Sequence, residues 1–362
     1  MVGESGASAD SYSFADRLLH RMAFAHPVIQ RALSEIESDM FAARYAAHSA
    51  ERPVFVTGLP RAGTTLMLEL LYRTGEFSTF TYREMPLILA PLLWSTITRS
   101  GRKQAELKER AHGDGMQVSF DSPEAFEEVA WLSYLGEAYV GEETLKPLTA
   151  DDLTPEFREA FPKLIRKLSA SQSAGQSTKR YLSKNNANIS RIGAIRSLFP
   201  DAAIFVCLRR PSTHVRSLMT QHARFLALHR QDKFARDYMR WIGHFDFGAN
   251  FRPIDFAGRG ENATQAADAD FWLRYWIDAY AHAARSADAG VRFVAFDEML
   301  SDHQGRLRLI GEAAGLSDIE AFVGEAARLR APTTDDAPLD GADPDLVAQA
   351  EAAYAILAKA GA

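Results

Sequence analysis

Cysteine is almost absent from this 362-residue chain: Cys207 stands alone, so no intramolecular disulfide can form. It lies in an apolar run, Ile204 to Leu208, that reads as a buried strand, and a thiol so placed fits a reducing compartment. Long apolar runs are missing as well. The longest, near Pro86 to Trp94, falls well short of the roughly 20 residues that span a bilayer. The first residues, MVGESGASADSYSF, lack the basic start and continuous apolar stretch of a secretory signal. Together these features predict a cytoplasmic protein with no membrane span. Nor is there a basic excess: 41 Lys and Arg against 47 Asp and Glu leave a net charge of −6, which argues against the broad positive field that holds nucleic acid. Any anionic ligand must be held by local groups.

What is present is an ordinary globular composition, 47% hydrophobic and 24% charged, with enough chain to bury a large core. Helical periodicity runs from about Ser11 to Ala47, divided at Pro27. Residues 54–57 (VFVT) then form a short strand-like run, followed at once by a Gly/Pro-rich turn and a helix from Thr64 to Tyr72. Residues 86–175 are mostly helical. Further strands are expected at Arg180 to Ser183, Ala203 to Leu208 and Val291 to Phe296, alternating with helices, the last of them Leu346 to Ala360. Short apolar strands alternating with helices predict an α/β fold of the P-loop type. Its three layers would hold a central, mainly parallel sheet of about four or five strands between helices. The expected division is an N-terminal helical segment (1–50), an α/β domain (51–330) with a helical insert (about 86–175), and a C-terminal loop and helix (331–362).

The most informative residues are Gly58-Leu59-Pro60-Arg61-Ala62-Gly63-Thr64-Thr65. Gly58, Gly63 and Thr65 keep the spacing of a nucleotide P-loop, whose glycine turn presents backbone N–H groups at the positive end of a helix dipole. Threonine stands at position 64, where a triphosphate-hydrolysing enzyme needs lysine for the β- and γ-phosphates. Arg61 supplies charge from inside the loop instead, with a planar fork suited to sulfonate or phosphate.

GLPRAGTTLM resembles the loop of sulfotransferases that use 3′-phosphoadenosine 5′-phosphosulfate (PAPS), in the bacterial branch related to tyrosylprotein sulfotransferases. The resemblance implies that Pro60, Arg61, Ala62, Gly63, Thr64 and Thr65 hold the 5′-phosphosulfate, and that no metal is required. A second match follows at residues 204–217, where a strand ends in Arg209, Pro211 opens a helix and Ser217 lies eight positions after the arginine. The family grips the 3′-phosphate with such a pair. Lys184, just after a strand, corresponds to the family's catalytic lysine, although Asn185-Asn186 replaces the usual small or polar residue and proline. Glu84, shortly before Pro86, corresponds to the acceptor base, while the histidine used by cytosolic members makes His112 its rival. Phe296 stands where the family has a tyrosine and would stack on adenine. The match is firm over about residues 53–84 and 180–217, looser over 291–316; a glycine-rich segment that cytosolic members place near the C-terminus is missing, and residues 331–344 are a candidate lid in its place.

The resemblance implies sulfuryl transfer to an acceptor hydroxyl, on a glycan or a small hydroxylated metabolite, with adenosine 3′,5′-bisphosphate released. Two other readings stay open: a P-loop kinase using ATP and Mg²⁺, which Thr64 opposes, and a non-catalytic nucleotide- or glycan-binding protein. His214 and His222 read as helix-surface or supporting residues. The acidic group Asp121, Glu124, Glu127 and Glu128 reads as the negatively charged start of a helix.

Overall fold

The computed structural model describes residues 14–24, 26–98, 108–109, 117–118, 124–173, 179–260, 263–329 and 339–360. Its strands are β1 (Val54–Thr57), β2 (Phe77–Ser78), β3 (Lys108–Glu109), β4 (Gln117–Val118), β5 (Arg180–Lys184), β6 (Ala203–Leu208) and β7 (Val291–Ala295). Five of them form one parallel sheet in the order β2-β5-β1-β6-β7, and β3 and β4 pair antiparallel apart from it. This is the α/β arrangement that the alternating pattern predicts, with the two-residue β2 completing one edge.

Side chains alternate across the sheet, as the period of two requires. Phe55, Tyr181, Ile204 and Val206 enter the larger core, whereas Val54, Val56, Leu182, Phe205 and Cys207 enter the other. Both faces are therefore covered, and the strands read as continuous apolar runs. Aromatic contacts tie the helical insert to the sheet: Phe161 lies 6.4 Å from Tyr181 and 5.9 Å from Phe199, and Phe55 meets the same two rings.

The chain leaves the central β1 for the far edge at β2, returns to β5, then crosses β1 to reach β6 and β7. Val56 is in register with both Lys184 and Phe205, and Leu208 with Ala295, so these strands end along one rim of the sheet. In open α/β sheets ligands bind at that carboxyl rim, where the strand order reverses.

Helices Phe14–Ala23 and Pro27–Met40 confirm the break at Pro27. The second is clasped to the insert by Lys167 and Glu37, a fully enclosed ion pair at 3.4 Å in which Lys167 Nζ also donates to Ser34 Oγ at 2.8 Å. Removing one member of such a pair costs about 3–5 kcal/mol, because the other charge is left buried. Among the described residues no helix is long and apolar enough to cross a membrane.

Candidate active site

β1 delivers the loop 58–63 to the rim, and helix Thr64–Arg73 starts directly on it. Gly63 precedes that helix with φ 91°, and a Cβ there would come within 2.8 Å of the Phe296 ring, so the position tolerates only glycine without displacement. Arg61 is also left-handed, at φ 72°, a conformation that costs a non-glycine residue on the order of 1–3 kcal/mol. That bend carries Arg61 Nε to 3.3 Å from Ser217 Oγ, in the helix that follows β6. The two β-to-α junctions therefore meet through their side chains.

A buried histidine joins them a second time. Trp276 Nε1–H can only donate, so His214 Nδ1 accepts from it at 3.2 Å, and Nε2–H donates to Pro60 O at 2.8 Å. Burial lowers the His214 pKa to about 3; the bond to Pro60 opposes this and the charges of Arg209 and Arg61 assist it. Of the two expected readings, the surface and the supporting one, His214 takes the second as a neutral strut under the loop, and His222 is also buried.

At the end of β5, Lys184 is buried and lines the cleft described below. The two asparagines that follow tie the strand end down. Asn185 N–H donates to Val56 O at 3.1 Å, and Thr57 Oγ1 donates to Asn185 O at 2.9 Å. The Asn185 side chain donates to Glu128 Oε2 at 2.6 Å. Asn186 reaches in two directions: its Oδ1 accepts from Thr64 Oγ1 at 3.3 Å, and its Nδ2 donates to Asp246 Oδ2 at 3.0 Å.

Arg209 is buried at the end of β6. Beside it Arg210 N–H donates to Asp297 Oδ2 at 2.9 Å, and Tyr354 of the C-terminal helix Pro344–Ala360 donates to the same oxygen at 3.1 Å. Phe296 begins a short helix rather than ending β7, and its ring packs against Gly63. The strand stops one residue early because the backbone turns helical there.

A cleft opens at this rim. One wall carries Pro60, Arg61, Thr64, Thr65, Lys184 and Asn186; the other carries residues of 124–128 and 238–247, including Glu124, Phe126, Tyr238, His244 and Asp246. Ala62, Gly63, Arg209, Ser217 and Phe296 lie outside this lining. So does Glu84. Its Oε2 accepts from Thr81 N and Oγ1 at 2.7 and 2.9 Å, and its Oε1 accepts from Gln172 Nε2 at 3.0 Å. Burial raises its pKa, against the lowering effect of those hydrogen bonds. Glu84 thus closes the capping box of a single helical turn whose first residue, Tyr82, lines the cleft, and His112 lies outside the described residues, as does most of the 331–344 segment.

Glu127 and Glu128 stand at the start of helix Glu128–Tyr139, as the acidic run predicts. Both are nonetheless buried, and Glu128 contributes to the cleft lining. Glu127 accepts from Trp131 Nε1, Asn188 Nδ2 and Tyr181 O–H at 2.7–2.9 Å. Glu128 pairs with Arg191 at 3.0 Å and accepts from Tyr139 O–H. Arg191, enclosed, stacks 4.4 Å from the Trp131 ring. Sequence reasoning missed Asn186, Asp246 and this network; Asn186 had one signal, its departure from the family pattern. Among the described residues no group of three or more His, Cys, Asp or Glu side chains is arranged to hold a metal ion.

Solved structures with similar backbones include sulfotransferase STF9 from Mycobacterium avium, at 16% identity and a TM-score of 0.55, covering 96% of this chain and 87% of that one. Sulfotransferase STF1 from Mycobacterium tuberculosis H37Rv is similar at 15% identity and a TM-score of 0.49, over 97% and 88%. No curated protein matches the chain. The profile of the sulfotransferase family matches residues 53–252, more than half of the sequence. The chain therefore belongs to the sulfotransferase family and is an enzyme of sulfuryl transfer.

Proposed function

We propose that the sulfuryl donor is PAPS and that the acceptor is a hydroxyl of a small molecule or glycan, in the cytoplasm. The observation that carries this reading is the 3.3 Å approach of Arg61 to Ser217, which joins the loop for a 5′-phosphosulfate to the junction for a 3′-phosphate. A loop that bends an arginine into a strained conformation, in place of a P-loop lysine, suits a planar anion held by a fork rather than a triphosphate on Mg²⁺. Arg209 at the end of β6 adds a buried cation to the second junction.

On this reading the acceptor oxygen attacks sulfur, the bond from sulfur to the bridging oxygen breaks, and charge collects on the departing phosphate. Arg61 and Lys184, both on the cleft wall, would receive that charge. The half-buried rings of Tyr82 and Tyr238 in the cleft lining offer flat surfaces to a sugar or another ring-bearing acceptor. Calorimetric titration in EDTA provides the test. Adenosine 3′,5′-bisphosphate is expected to bind at least ten times more tightly than ATP, and Arg209→Ala to weaken it. Preference for ATP would overturn the donor assignment.

A further inference from the structure

The acceptor's proton needs a destination, and the structure narrows the choice among carboxylates. Glu84 is folded into its own cap with both oxygens engaged. Glu127 is spent on three buried donors, and Glu128 is paired with Arg191 and bonded to Asn185. Glu124, at the cleft, accepts from the Tyr82 hydroxyl at 3.2 Å and from the neighbouring Ala125 N–H at 2.9 Å. Asp246 differs in its connection. It lines the cleft between the buried rings of Phe245 and Phe247, and two hydrogen bonds through Asn186 link it to Thr64, the first residue of the loop helix.

We propose that Asp246 is the catalytic base that accepts the proton of the acceptor hydroxyl, with Asn186 as the positioning residue that fixes it relative to the donor loop. This rests on the donor reading given above. In the step, the acceptor O–H bond breaks as its oxygen forms the bond to sulfur. The sulfur–bridging oxygen bond breaks with its electron pair going to phosphate, and the proton passes to Asp246 and then to water. A carboxylate tied to the loop through one side-chain amide keeps its distance to the reacting sulfur whichever acceptor occupies the cleft, which is what a base must do in an in-line displacement.

The segment carrying Asp246 is fixed at both ends. Gly243 has φ 78°, and a Cβ there would fall 2.3 Å from Glu128 Cγ; a Cβ at Gly248 would fall 2.7 Å from His229 Nδ1. The charged and titratable groups that line the cleft with Asp246 are Arg61 and Lys184 from the donor wall, Tyr82 from the turn before the insert, Glu124 and Glu128 from the insert, and Tyr238 and His244 from its own wall. His244 feels the charges of Asp246, Lys184 and Glu124, which places these groups around one space.

The test uses the full chain, ³⁵S-labelled PAPS and the neutral sugar or alcohol that the wild type sulfates fastest. Asp246→Asn is expected to lower kcat by 10²–10⁴-fold and to remove the acid limb of the pH profile of kcat/KM. Its melting temperature and its affinity for adenosine 3′,5′-bisphosphate should stay at the wild-type values. Asn186→Ala should lower kcat about tenfold with the acid limb retained, as expected of a residue that positions the base. Glu84→Gln should keep its turnover per folded molecule. An Asp246→Asn enzyme that retains the acid limb and a tenth of its turnover would overturn the proposal, and so would Glu84→Gln abolishing that limb. Bisphosphate binding separates the two levels: if the wild type fails to bind it, the donor reading falls and Asp246 falls with it. If binding is intact while Asp246→Asn is active, only the base is misassigned.

Discussion

The cleft wall that carries Arg61 and Lys184 comes from strand ends of one parallel sheet, whereas the facing wall brings residues 124–128 together with 238–247 from well apart in the chain. The first wall is made of junctions: each strand stops at the rim, and a glycine, proline or asparagine turns the chain into the next helix. Its geometry follows from local rules, because parallel register already aligns Val56, Lys184 and Phe205. The second wall has no such register. It is held by close fits, Gly243 against Glu128 and Gly248 against Phe225 and His229, over a buried layer of paired charges. On the proposed reading, the donor chemistry sits on a regular frame while the wall assigned to the acceptor is assembled from packing.

Breaking the donor wall at Arg61 should have a large effect. Arg61→Ala removes the loop's cation and is expected to raise the activation barrier by about 3–4 kcal/mol, seen as a fall in kcat with little change in acceptor KM. Arg61→Gly should be equally slow yet more stable than Arg61→Ala by about 1 kcal/mol, because glycine adopts φ 72° without strain. Steady-state kinetics and thermal melts on the pair would check this. Equal melting temperatures would mean that the loop stores no strain at Arg61.

The acceptor wall should answer differently. Gly243→Ala drives a methyl group against the Glu128 stem from a left-handed backbone position. The expected cost is about 1–3 kcal/mol of stability, with acceptor KM raised about tenfold by displacement of residues 243–247. Bisphosphate affinity should be unchanged. A loss of bisphosphate binding equal to the loss of acceptor affinity would show that the two walls move as one unit.

The same contrast explains what could be read in advance. Strand, glycine loop and helix are encoded within about twenty residues around Gly58 to Arg73, so both the α/β architecture and the Arg61 loop were legible from spacing and apolar pattern. The spacing of Arg209 and Ser217 is local, since Ser217 sits in the helix that opens at Pro211, whereas the approach of Ser217 to Arg61 spans 156 residues of sequence. Glu84 shows the limit. A matching position named the residue type, but only the fold reveals that Thr81 and Gln172 consume its oxygens. Glu127 and Glu128 were legible as a helix start, but their burial was not, because it depends on Arg191, Tyr181 and Asn188 arriving from elsewhere. Asp246 carries no local motif at all; its place is set by a hydrogen bond to an asparagine 60 residues earlier.

The smallest effect, and the finest probe of the junction between walls and sheet, is the pH dependence set by His214. Folding buries this imidazole in its neutral form and lowers its pKa to about 3, against an ordinary value of 6.5. Between those two values the unfolded chain binds the proton and the folded chain does not, so stability is complete above pH 6.5 and declines as pH falls through that window. One unit below 6.5 the loss from this group is about 1 kcal/mol. Other histidines whose pKa burial lowers, His229 among them, add slope of the same sign. His214→Asn removes one contributor and leaves the rest. Urea unfolding at pH 7.5 and 5.5 should therefore show a pH-dependent loss about 1 kcal/mol smaller in the variant than in the wild type. Since His214 holds Pro60 O against Trp276, the variant should also weaken bisphosphate binding at pH 7.5, where no proton is involved. An unchanged pH slope together with unchanged binding would mean that the loop keeps its shape from strand ends and glycines alone.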